Sequence, residues 1–180
     1  LGVLSEIEVS YIEKVPGPKP ASTFSAAATM PAHPTAMGRA LLAFSPPRLV
    51  ELAIMRGLRA YTAHTVTSPE RLRRALGVTR LTRVAVTRWE LEPDLCWIGM
   101  PVFGPGGQVV AAIEIAVKDL HQQMQSVVGT LAIASRSLTR ELAGDGPGRV
   151  PTDPPAPARA PASAPAPEAA PIEESRLAPL

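Results

Sequence analysis

Cysteine is nearly missing from this 180-residue chain: Cys96 stands alone, so no internal disulfide can form. Three histidines and that one cysteine are too few to build a metal cluster, and neither a metal nor a cofactor is expected. Aromatic residues make up only 4% of the chain, and no stripe of Lys and Arg is interleaved with them. Direct nucleic-acid contact by this segment is therefore not expected. No uninterrupted apolar run approaches the roughly 18 residues needed to cross a bilayer, and no charged-then-apolar leader opens the chain. The sequence reads as soluble and cytoplasmic, with no membrane partner.

Proline, by contrast, is abundant and unevenly placed. Ten of the 21 prolines lie in the last 36 residues, from Pro147 to Pro179, mixed mainly with alanine. That composition cannot bury enough apolar surface to offset the entropy of ordering, so residues 145–180 are predicted to be a disordered Pro/Ala-rich tail with polyproline character. The tail carries five acids against three arginines. With +2 overall, the preceding part holds +4, a mildly basic balance. The predicted domain is residues 1–144.

Within it, strands and helices are marked by ordinary punctuation. Ile7, Val9 and Tyr11 alternate with Glu8 and Ser10, predicting a strand from Glu6 to Val15 with one wet face. A loop follows at Pro16–Pro20, and a short strand is read over Thr23–Met30. Ser45-Pro46-Pro47 leads into a helix from Arg48 to Met55, closed by Gly57. Tyr61–Thr67 reads as polar loop or edge segment. Ser68-Pro69-Glu70 is a strong helix start, with Ser as cap and Pro in the first turn, and Gly77 after Leu76 reads as the stop. Strands are predicted at Thr82–Arg88, Leu95–Phe103 and Gln108–Val117, the last two joined by the tight turn Gly104-Pro105-Gly106-Gly107. A long helix then begins at Asp119, with Gln122 as capping-box partner. Leu120, Met124, Val127, Val128, Leu131, Leu138 and Leu142 share one stripe, and Gly144 ends it.

The chain is organised around the helix that starts near Pro34. Thr35 or His33 stands at the cap position, Pro34 suits a first turn, and Leu41, Leu42 and Phe44 supply a buried face. Ala32, Ala36 and Gly38 leave the start bare, so its unpaired backbone N–H groups can approach a carboxylate or phosphate. The last predicted strand offers a matching surface. One face carries Val109, Ala111, Ile113, Ile115 and Val117, while the other carries Val110, Ala112, Glu114 and Ala116. The second face is small and apolar with one acid in it, which suits either a small molecule with one polar handle or a helix packed close, with Glu114 at a solvated edge.

Taken together, Pro31-Ala32-His33 with Ala36-Met37-Gly38-Arg39-Ala40-Leu41-Leu42-Ala43, then Tyr61–Thr67, then Trp89-Glu90-Leu91-Glu92-Pro93 and Ile98-Gly99-Met100-Pro101-Val102 resemble the effector-binding domain of the IclR family of bacterial transcription regulators. The resemblance covers residues 4–143. It implies an α+β fold of the GAF/profilin kind, an antiparallel sheet with helices on its faces and a pocket on one side. It further implies a dimer or tetramer, DNA binding through a separate helix-turn-helix domain, and a small-molecule effector, often a carboxylate. The pocket positions it implies are Ala36, Met37, Thr87, Trp97, Glu114 and Ala116.

Departures from that family pattern are equally specific. Trp97 stands where cysteine is usual, with Cys96 shifted to the other face of the strand, and Arg83 replaces a usual glycine. Small or hydroxyl residues are common where Glu114 and Ala116 stand. Glu114 would repel a carboxylate unless protonated or paired, with Arg88 as the candidate partner. A specificity changed toward neutral or amine-bearing ligands is therefore expected, or loss of binding altogether. The family's first strand and leading helix, and its DNA-binding domain, are read as lying outside the chain. The rival reading is a degenerate dimerisation or scaffold module. An enzyme would need Cys96 with His33 or His64, and a cysteine on an apolar strand reads as inert packing.

Overall fold

The computed structural model describes residues 1–15 and 29–144. The predicted tail, the Pro16–Pro20 loop and all but the last two residues of the Thr23–Met30 strand lie outside them.

Among the described residues, six strands form one antiparallel sheet: β1 (Gly2–Ser5), β2 (Glu8–Tyr11), β3 (Thr29–Pro31), β4 (Ala85–Arg88), β5 (Cys96–Phe103) and β6 (Val109–Val117). Their order across the sheet is β3-β2-β1-β6-β5-β4. The helices are α1 (Ala36–Phe44), α2 (Pro47–Met55), α3 (Pro69–Thr82) and α4 (Leu120–Ala143). This is the α+β architecture expected.

The β5–β6 hairpin is the spine, in register from Cys96 opposite Val117 to Phe103 opposite Val109, with one irregularity at Val102/Phe103. Period-two alternation sends its side chains to two separate cores. Cys96, Ile98, Met100, Val102, Ala111, Ile113 and Val117 pack with Leu120 and Leu131 of α4. On the opposite face Ala85 and Ala112 meet Ala36, Met37, Ala40 and Leu41 of α1, which in turn covers Leu72 and Leu76 of α3. Each such leucine, sealed from water, contributes about 1.5–3 kcal/mol. The α4 stripe is buried unevenly: Leu120 and Leu131 are buried, whereas Met124 and Leu142 stay 37% and 49% exposed.

Several boundaries differ from the sequence reading. The predicted Glu6–Val15 strand is the second arm of a hairpin, since Glu6, at a φ of 54°, turns the chain between β1 and β2. Helix α3 does not stop at Gly77. It continues to Thr82 and ends at Arg83, whose φ of 60° is left-handed and whose N–H bonds the Thr79 carbonyl at 2.8 Å. Glycine adopts that conformation without strain, so an arginine here costs about 1 kcal/mol. Pro34 precedes the cap rather than entering α1: Thr35 is the cap, accepting from Gly38 N at 3.1 Å.

Candidate functional site

Helix α1 rests on the sheet with its first turn directly over Gly99. A Cβ at Gly99 would fall 2.7 Å from the carbonyl carbon of Ala36 and 2.9 Å from Met37 N, closer than any real contact. Only a residue without a side chain lets backbone meet backbone here. Gly38 is held as tightly, since a Cβ there would lie 2.2 Å from the carbonyl oxygen of Ala32. The bare helix start thus serves close packing.

Glu114 sits opposite Gly99 on β6 and turns inward, under that first turn. Its Oε2 accepts from Met37 N at 2.8 Å and its Oε1 from the Tyr11 hydroxyl at 2.9 Å. The expected partner Arg88 does not reach it: Arg88 alternates to the other face of β4 and is exposed. Nor does Glu114 stand free at a solvated edge: it is half-buried, and the Tyr11 hydroxyl of β2 bonds it from beside the sheet. Burial pushes the Glu114 carboxyl above its ordinary range, against the pull of the Met37 N–H and the Tyr11 hydroxyl. Burial and the neighbouring carboxylate push the Tyr11 phenol up as well, so it remains a donor.

One register step along the hairpin, Thr87, Trp97 and Ala116 form a row across β4, β5 and β6 on the same face. Two residues of strand separate this row from Gly99 and Glu114, about 7 Å. Thr87 is 1% exposed, yet its hydroxyl has no hydrogen-bond partner, and the buried indole Nε1 of Trp97 has none either. Trp97 packs against the α1 core cluster. The structure therefore brings Ala36, Met37 and Glu114 into one contact and sets Thr87, Trp97 and Ala116 beside it.

A second layer holds the α1 start in place. The Arg39 guanidinium pairs with Glu90 between β4 and β5, and its Nε donates to the His33 carbonyl at 2.8 Å. Glu90 Oε2 also accepts from Val66 N at 3.0 Å. Thr62 and Thr65 clip the preceding loop to the carbonyls of Trp89 and Glu90, each at 2.6 Å. His33 bonds the Arg59 carbonyl at 2.9 Å, and burial holds its imidazole below the usual histidine range. Sequence reasoning missed Tyr11, Gly99 and Glu90 as members of this assembly.

Two cavities lie elsewhere. One of about 560 Å³ is lined by Arg83, Met100, Phe103, Ile133, Arg136 and Arg140 on the α4 side. Another of about 370 Å³ lies between α3 and β4, beside Arg39, Arg71 and Val86. Neither is lined by any of the six predicted residues. Among the described residues no cluster of His, Cys, Asp or Glu could hold a metal ion, and no helix is long and apolar enough to cross a membrane. Cys96 belongs to the α4 core, and burial raises its thiol.

The model of the C-terminal region of the bacterial transcriptional regulator IclR matches residues 1–140. The probable transcriptional regulator SauR of Cupriavidus necator is 31% identical over 131 residues, 72% of this chain and 52% of that protein. The Pca regulon regulatory protein of Pseudomonas putida is 32% identical over 123 residues, 64% of this chain and 41% of that protein. The chain thus spans about half the length of these curated relatives, which are regulators of transcription rather than enzymes. Among solved structures, IclR of Thermotoga maritima superposes with a TM-score of 0.73 at 26% identity, over 79% of this chain and 60% of that one. The C-terminal domain of Escherichia coli KdgR gives 0.68 at 27% identity, over 79% of this chain and 85% of that one. Fold, length of match and relatives agree, and the chain belongs to the IclR family as the C-terminal domain of a transcriptional regulator.

Proposed function

We propose that this domain senses a small molecule held between the α1 start and the sheet, over Thr87, Trp97 and Ala116. We propose also that it assembles as a homodimer or homotetramer, and that ligand binding changes DNA affinity through another part of the regulator, in the cytoplasm. The observation that carries the reading is the pair of orphaned polar atoms, Thr87 Oγ1 and Trp97 Nε1, on the face that α1 covers. A buried donor left without a partner costs about 1–3 kcal/mol, and a bound molecule that supplies one recovers that cost. The α4 face of the sheet carries the apolar Ile98, Met100, Val102 and Ile113 instead.

Calorimetry with a panel of small polar metabolites tests the proposal. The parent chain should bind at least one compound, and T87V and W97F should each weaken it about tenfold, the equivalent of one hydrogen bond. Light scattering from the same samples reports the assembly.

The scaffold reading has one observation in its favour: the two outlined cavities lie away from the row. A stable oligomer whose melting no compound shifts would favour it.

A further inference from the structure

Glu114 is placed where a free acid would otherwise sit. Met37 N–H is an unpaired donor of the first turn of a nine-residue helix, and the helix dipole favours negative charge in front of it. Here that donor is already taken at 2.8 Å by a carboxylate oxygen, and the second oxygen is taken by the Tyr11 hydroxyl. Gly99 beneath leaves no spare depth, since even a Cβ would collide with Ala36 and Met37. What remains unsatisfied lies one step away, at Thr87 Oγ1, in a side chain only 1% exposed, and at Trp97 Nε1.

We infer that Glu114 is this chain's own occupant of the α1 amide site, so that free carboxylates are excluded there and the molecule taken up at the Thr87–Trp97 row is an uncharged one presenting an oxygen acceptor. Trp97 Nε1 can only donate, which calls for a carbonyl, ether or hydroxyl oxygen. The Thr87 hydroxyl can donate or accept and so completes either an amide or an alcohol. A carboxylate at this row would have to give up hydration beside the buried Thr87, a cost that an amide of the same shape does not carry. The ligand class rests on the sensor reading above; the occupancy of the amide site by Glu114 does not.

The test uses a matched pair, propionate and propionamide, on the full chain and on E114A and E114Q. In the parent, propionate should leave the Met37 amide resonance and the melting temperature unmoved, with sodium chloride at equal ionic strength as control. E114A should bind propionate saturably, at least tenfold more tightly than the parent, with a shift of the Met37 amide. E114Q refills the site, accepting from Met37 and donating to Tyr11, and should behave as the parent. A parent Met37 amide that titrates with propionate overturns the inference, as does a folded E114A that takes propionate no better than the parent does. Should E114A not fold, the Met37 titration of the parent decides alone. In a panel of acid and amide pairs, tighter parent binding of the acids overturns the ligand class. A parent that binds nothing while E114A takes up propionate would remove the sensor reading and leave the occupancy of the site standing.

Discussion

Arg39 and Glu90, 51 positions apart in sequence, form an ion pair almost sealed from water, with their side chains 4% and 8% exposed. The pair joins α1 to the connection between β4 and β5, and the Val66 amide and His33 carbonyl complete its hydrogen bonds.

Replacing one partner leaves the other charge buried and uncompensated. R39A should lower stability by about 3–5 kcal/mol, read as a lower urea midpoint. Replacing both by methionine should recover most of that loss, because no charge is then left buried without its mate.

Gly99 makes a sharper demand. A methyl group at this position would meet the backbone of α1 rather than a movable side chain, so the helix must lift. G99A should cost about 1–3 kcal/mol and also loosen the Met37–Glu114 bond. Amide hydrogen exchange at Met37 reads the second effect, and unchanged exchange would show that the strain is relieved elsewhere.

How much of this was legible in the letters depends on the range over which each interaction acts. The caps at Ser68 and Asp119, the stop at Gly144 and the β5–β6 hairpin are local, and residue type alone betrayed them, while at α1 it narrowed the cap to Thr35 or His33. Alternation along β6 likewise separated Ile113 from Glu114. The β1–β2 hairpin escaped because the pattern Ile7, Val9, Tyr11 ran unbroken up to a turn made by Glu6, with neither glycine nor proline to mark it. Gly77 misled for the opposite reason: the surface around it is open, and α3 tolerates it. Nothing in sequence links Tyr11 to Glu114, 103 positions apart, or tells that Arg88 faces away. Glu114 was singled out as the lone acid on a small face, but its partners could be found only once the sheet was closed.

Acidity offers an independent probe of Glu114. Its folded-state pKa is raised above the ordinary value of 4.5 by burial, so the protonated form is the better tolerated one. That stabilising contribution is complete below pH 4.5 and is lost as pH rises through the folded value. The difference in unfolding free energy between the parent and E114Q should therefore move against the parent as pH climbs from 4.5 toward neutrality. A difference independent of pH would show that the carboxyl is not perturbed.

Cys96 is 2% exposed in the α4 core, and burial raises its thiol. A disulfide reagent should modify it roughly a hundredfold more slowly in the native chain than in urea, because reaction must await opening of the sheet. Fast native labelling would revive a nucleophilic role for this residue.

The strand β6 serves two masters on alternate positions. Ile113 and Val117 lock into the α4 side, while Glu114 and Ala116, their immediate neighbours, look into the space that α1 covers. Because the strand's contacts with α4 and with α1 fall on opposite sides of one backbone, a change at 113 or 117 is felt in the α4 core, whereas a change at 114 is felt at the start of α1 and at Tyr11.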